Sequence, residues 1–226
     1  MRDRTAHSHP IIRADRAGGR EAVQALLGLI PPWAKDPAIG GRLVNARAET
    51  VMDKPAFRDA FRSRRCIVPV TSIDRWSSST RQHYQIRRRD GVAMGLAGLW
   101  SAWIDPANGD EVTTFAVITF AANTLLAEFH DRIPVILDPT RYDLWLDPAR
   151  SGEELLRPCS EGWLEVVPLT PRSRSNVVDV RHEGEESAIQ GELFQTPSCG
   201  GLMPTTERTM TRQERPIVAK EGKLRA

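Results

Sequence analysis

The chain has 226 residues, 40% of them hydrophobic and 27% charged, and its 31 lysines and arginines against 29 acids leave a net charge of +2. That is the composition of a globular protein large enough to bury a core without disulfide staples, and no apolar run reaches the roughly eighteen residues of a membrane span. Three cysteines, Cys66, Cys159 and Cys199, without a CxxC spacing support neither a disulfide framework nor a zinc site.

The polar N-terminus MRDRTAHSHPIIRAD has no apolar stretch of the kind that directs secretion, so a cytoplasmic protein is expected. PIIR at 10–13 reads as a strand ending in the turn DRAGG, and REAVQALLGLI resumes an apolar pattern up to the Pro31-Pro32-Trp33 break. PPWAKDPAIGG is then a loop. The spacing of Ala56, Phe57, Ala60 and Phe61, with Asp53 and Pro55 ahead of them, predicts a helix over 54–63. Strand-like runs follow in CIVPVTS, HYQIRR, VAMGLAGLWSAWI and TTFAVITF, with DPANGD at 105–110 as a turn between the last two. ANTLLAEFH reads as a helix capped by Asn123, with Leu125, Leu126 and Phe129 toward the core. PVIL and WLEVVPLT are further strands, RYDLWLDP a short acidic helix, and PRSRSNVVDV a basic irregular loop. Beyond residue 194 apolar periodicity gives way to Pro, Gly, Thr and charge, which predicts a disordered tail. The chain thus divides into one domain over 1–194 and a tail over 195–226. The order of its elements fits an α+β fold built on antiparallel strands.

Two features carry chemistry. Positive charge is clustered, in RSRR at 62–65, IRRRD at 86–90 and PRSRS at 171–175; such runs are ordinarily solvated faces, and they also make a phosphate-binding stripe possible. In EFHDRIP at 128–134, one of only five histidines stands among acids and beside an arginine. His130 is either a polar residue at a helix end or a group that moves a proton near neutral pH, oriented by Asp131 or Glu128, with Pro134 fixing the turn that follows.

Four segments then fall in a recognisable order: GLIPPWAKDPAIGGRLVNARAETV at 28–51, FRSRRCIVPVTSIDRW at 61–76, AGLW at 97–100 and VITFAANTLLAEFHDRIPVIL at 117–137. Together they resemble the SOS response-associated peptidase (SRAP) family, from about residue 10 to about residue 194. The resemblance implies a curled or barrel-like β-rich fold with a few short helices and a basic groove for single-stranded DNA. It implies a DNA-damage function in which an N-terminal cysteine, freed of the initiator methionine, attacks the opened aldehyde of an abasic site. Amine and thiol together close a thiazolidine on that carbon, and the same cysteine serves an autopeptidase step.

On this reading the catalytic residues are His130 and Asn45, whose amide can donate to a sugar hydroxyl or carbonyl oxygen. Arg47 and Arg132 offer forks for phosphate, and Trp33 and Thr119 are further DNA contacts. Glu49 and Asp131 support them, Glu49 by pairing with Arg47. Trp76 and Trp100 could stack on bases as Trp33 could; the alternatives are an Arg47–Glu49 pair that serves only packing, tryptophans that belong to the core, and a Thr119 that merely faces a neighbouring strand. A cysteine hydrolase built on Cys66 and His130 is disfavoured, because Cys66 lies in an apolar strand. No cofactor is expected, and the expected partner is single-stranded DNA, with or without an abasic site, bound by a monomer with no membrane association.

The chain also departs from the family pattern. It opens Met-Arg-Asp-Arg where members begin Met-Cys-Gly-Arg, so the resemblance places the family's first segment outside this sequence. Where the family carries an acid–base glutamate after the RCxVP strand, Arg75 stands between Asp74 and Trp76, and an arginine cannot relay a proton. Asp74 should point to the opposite strand face. Leu26-Leu27 occupy the place of an Arg-Trp pair. Catalysis is therefore expected to be lost or impaired; the other reading is a binding or interaction module without chemistry.

Overall fold

The computed structural model describes residues 8–77, 80–122 and 131–169. The chain opens with β1 (Ser8–Ala14) and β2 (Arg20–Leu27), an antiparallel hairpin whose turn is closed by Asp15, which accepts from the amides of Ala17 and Gly19. β1 alternates in burial: His9 and Ile11 are fully inside while Ser8 is exposed. A long connection containing a short 3-10 turn, Pro37–Arg42, leads to β3 (Asn45–Arg47), a series of turns over 48–57, and α1 (Arg58–Ser63). The helix therefore begins later than the apolar spacing predicts: Lys54–Phe57 form a turn, and only Ala60 and Phe61 are buried from the helix itself.

β4 (Arg65–Val70) and β5 (Ile73–Ser77) follow, then β6 (Gln82–Arg88), β7 (Met94–Ile104), β8 (Glu111–Ala121), β9 (Arg132–Pro134) and β10 (Ile136–Leu137). α2 (Tyr142–Leu146) and β11 (Leu164–Pro168) end the described chain. Five strands close on one another in the order β7-β4-β1-β2-β8 and back to β7, a barrel with β3, β9 and β10 added at its margins. Four of the five contacts are antiparallel; the fifth, β2 with β8, is a short parallel pairing at Leu26–Thr114 and Leu27–Phe115. A second antiparallel sheet, β11-β6-β5, lies beside it. The α+β, strand-rich and barrel-like expectation is met.

The core explains why two of the sequence motifs travel together. Cys66 of RCIVP pairs directly with Gly98 of AGLW, and a Cβ at Gly98 would stand 2.9 Å from the Cys66 sulfur and 2.9 Å from Val68. Cys66 is the buried small hydrophobe its surroundings predict, and desolvation pushes its thiol far above the usual range. The long connection after β2 is anchored in the same backbone-to-backbone way: Gly28, at φ +103°, lies so close to Gly40 that a Cβ would come within 2.5 Å of the Gly40 carbonyl oxygen.

Arg65 overturns the reading of RSRR as surface charge. Its side chain is buried and donates to the carbonyls of Phe61, Trp145, Asp147, Arg150 and Ser151, tying α1 to the end of α2 and the turn that follows. Trp145 adds a hydrogen bond from its indole to the Cys66 carbonyl at 2.8 Å. IRRRD is likewise partly neutralised, since Arg87 pairs with Glu165 and Arg88 with Asp90. PRSRS and the tail over 195–226 lie outside the described residues, as does the helix expected in ANTLLAEFH. Among the described residues no helix is long and apolar enough to cross a membrane.

His9 adds a pH dependence to this core. The ring is 1% exposed, its Nε2 lies 2.9 Å from the Pro69 carbonyl, and desolvation holds its pKa below the ordinary 6.5 despite that hydrogen bond. The unfolded chain therefore takes up a proton near pH 6.5 that the folded chain refuses until a lower pH. Stability present above that point is lost as pH falls below it. Urea midpoints measured from about pH 7.5 down to about pH 5.5 are expected to decline for the native sequence and to stay flat for His9→Gln, which keeps a donor for Pro69 but cannot titrate. An equal decline in both proteins would remove His9 as the cause.

Candidate functional site

The spacing in NARAE is a strand spacing, and β3 uses it. Ala46 turns into the core and is fully buried, so Asn45 and Arg47 project together from the other face. β3 lies parallel to β8, with Asn45 opposite Val117 and Arg47 opposite Thr119. The opposite edge of β8 carries β9, where Thr119 pairs with Pro134 and Ala121 with Arg132. Thus the NARAE and HDRIP motifs, separated by some eighty residues of chain, meet across one strand. Pro134 is a buried strand residue here, not the turn-former that HDRIP suggests, and the ladder continues beyond it through the Val135 amide to the Ile118 carbonyl.

Arg132 ties the two motifs. Its guanidinium donates to Glu49 Oε2 at 2.7 Å, to the Thr119 carbonyl at 2.8 Å and to Thr119 Oγ1 at 3.2 Å. The expected partner of Glu49 was Arg47; the observed partner is Arg132, because β3 sends Arg47 outward while the chain turns Glu49 back toward β9. Partial burial works to raise the Glu49 pKa, but the hydrogen bond from Arg132 and its positive charge prevail and hold the carboxyl below its usual range. Thr119 is buried, and it serves the Arg132 side chain as well as facing β3 and β9.

These residues border a cavity of about 380 Å³. Asn45, Thr119 and Arg132 line it with the cations Arg42, Arg47 and Lys54, all three exposed, and with Thr50 and Phe57. Arg42 and Lys54 belong to none of the motifs that the sequence marks for phosphate. They are single basic residues at the end of a 3-10 turn and within a Lys-Pro turn, and only their nearness to NARAE in sequence hints at them.

The remaining predicted residues are placed otherwise. His130 lies outside the described residues, together with Glu128 and Asn123. Asp131 is exposed, its carbonyl accepting from the Ala122 amide at 2.8 Å. Trp33 is 58% exposed on the connection after β2 but does not line the cavity. Trp76 is exposed on β5 with its ring 4.7 Å from that of His83, whereas Trp100 is covered by Arg13 at 4.2 Å. Arg75 is buried in the second sheet and donates to the Asp74 carbonyl at 3.0 Å, while the Asp74 carboxylate accepts from Gln85 at 3.5 Å. Among the described residues no group of three His, Cys, Asp or Glu side chains is arranged to hold a metal ion.

Comparison with known proteins places this geometry. A profile of the family described as SOS response associated peptidase (SRAP) matches residues 4–175. The chain is 39% identical over 133 residues to the abasic site processing protein YoqW of Bacillus subtilis, covering 58% of this chain and 59% of that protein. With the abasic site processing protein YedK of Escherichia coli it shares 29% identity over 163 residues, 70% of each chain. The crystal structure of a protein from Bacteroides thetaiotaomicron superposes with a TM-score of 0.68 at 29% identity, over 74% of this chain and 75% of that one. The chain thus spans less than two thirds of the length of the Bacillus relative. The barrel, the paired NARAE and HDRIP motifs and the profile match agree: this chain belongs to the SOS response associated peptidase (SRAP) family.

Proposed function

We propose that the chain acts on damaged DNA in the cytoplasm, holding a single strand by its phosphates in the cavity between the 42–57 segment and β8. The observation that carries this reading is the lining of that cavity: three exposed cations, Arg42, Arg47 and Lys54, border it together with Asn45, Thr119 and Arg132, the last held by Glu49. Relatives named abasic site processing proteins make an abasic sugar the fitting substrate class. In such a site Asn45 hydrogen-bonds the opened sugar, and His130, the next motif residue before Asp131, exchanges a proton with it.

Of the activities the family name and the resemblance suggest, peptidase, lyase and covalent capture, the covalent step is weakened or lost here. Arg75 occupies the position at which the resemblance expects an acid–base glutamate, and a guanidinium stays protonated throughout the physiological range. The 226-residue chain and its Asn45→Ala variant can be incubated with a labelled single strand bearing one abasic site and run on native and denaturing gels. A reversible shift on the native gel with no heat-resistant band is the expected outcome. A heat-resistant band that vanishes in Asn45→Ala would show capture intact, and absence of any shift would end the binding proposal.

The second reading, a single-strand-binding module without chemistry, is separated by affinity. It requires equal binding of intact and abasic strands.

A further inference from the structure

A second basic groove lies on the other side of the turns that wall the first. It runs between α1 and the turn Pro148–Ser151, with a volume of about 450 Å³. Arg58 and Arg62 rise from the helix side, Arg150 from the turn side, and all three are exposed. Met52, 39% exposed, gives the groove an apolar patch. The two cavities share one partition: Thr50, Lys54 and Phe57 face the first, whereas Met52 and Arg58 face the second, and the Arg58 amide bonds the Lys54 carbonyl at 2.9 Å.

This groove is built to a fixed width. The buried Arg65 guanidinium beneath it donates at once to Phe61 on the helix side and to Asp147, Arg150 and Ser151 on the turn side, so the two walls cannot separate without breaking those bonds. Its charge is also less neutralised than that of IRRRD. The nearest carboxylates, Asp59 and Asp147, stand 3.7 and 3.9 Å from Arg58 and Arg150, against 2.7 Å for the Arg87–Glu165 pair. Three guanidinium groups beside a thioether suit a chain of phosphates carrying flat bases whose faces can rest on a thioether.

We propose that this groove binds the phosphodiester backbone of the nucleic-acid strand where it leaves the first cavity, the strand crossing the 50–57 turns between them. The inference rests on the reading of the first cavity as a strand-binding site, and extends its footprint to two grooves meeting at one partition. Contacts with Arg58, Arg62 and Arg150 are to phosphate and independent of sequence.

The test uses fluorescence anisotropy with mixed-sequence single strands of about 6 and about 20 nucleotides, short enough and long enough to fill one or both grooves. For Arg58→Ala/Arg62→Ala/Arg150→Ala, affinity for the longer strand at low salt is expected to fall by about tenfold or more. Its slope of log affinity against log salt should become shallower by about 2, with binding of the short strand unchanged. The triple lysine variant at the same positions keeps the charges and should keep most of that slope. Unchanged affinity and slope for the longer strand, in a variant that melts like the native protein, would overturn the second groove while leaving the first cavity's reading intact. Failure of the native protein to bind either strand would instead sink the reading of the first cavity, and this inference with it.

Discussion

Replacing Arg65 by methionine is expected to lower the free energy of unfolding by about 3–5 kcal/mol. Five carbonyls converge on that one guanidinium, and those of Phe61 and Trp145 are bonded in a buried setting where water cannot take over. Each buried acceptor left alone costs about 1–3 kcal/mol, and the more exposed carbonyls of Asp147, Arg150 and Ser151 recover part of their loss by hydration. Arg65→Lys should restore only a fraction, because an ammonium is a point donor that cannot span carbonyls on two sides of a groove. Urea denaturation with a shared slope measures this directly; a loss under about 1 kcal/mol would mean the α2 end is held by other contacts, foremost the Trp145 indole bond to Cys66.

The second large effect concerns binding. Arg42→Ala/Arg47→Ala/Lys54→Ala removes the three exposed cations of the first cavity without disturbing Arg132, Glu49 or Thr119. Single-strand affinity falls with a log–log salt slope of about 0.7 per phosphate contact, so losing three contacts should make the slope shallower by about 2. Between about 50 and about 200 mM salt the variant would then lose about twentyfold less affinity than the native chain. Titrations of one labelled strand at a series of salt concentrations give both slopes. Parallel lines would mean that these three side chains do not meet phosphate.

Arg132, by contrast, is a positioning side chain as much as a cation. Its donors are committed to Glu49 and Thr119, so it fixes the junction of β3, β8 and β9 that aims Asn45 and Arg47 into the cavity. That commitment explains why the two motifs stand together in one chain: each supplies half of a single ion pair.

Local sequence determined a great deal. Strand-like apolar runs and the turn residues between them marked β1, β4, β7 and β8 of the barrel, whereas nothing local marked Asn45–Arg47 as a strand, and Asn45 and Arg47 share a face because β8 pairs with that segment. The order of the motifs likewise identified the family. What the tertiary structure alone decided was the fate of each charge. RSRR reads as a solvated run, yet Arg65 is sealed beneath a groove because four of its five carbonyl partners lie 80–86 residues on. IRRRD reads as a solvated run that could also meet phosphate, yet Arg87 is matched by Glu165, 78 positions away. Glu49 chose Arg132, 83 positions away, over Arg47 two residues off. Burial periodicity is a property of one element and can be read along the chain, whereas an ion pair or a cavity forms where distant elements meet, and no local pattern records that meeting.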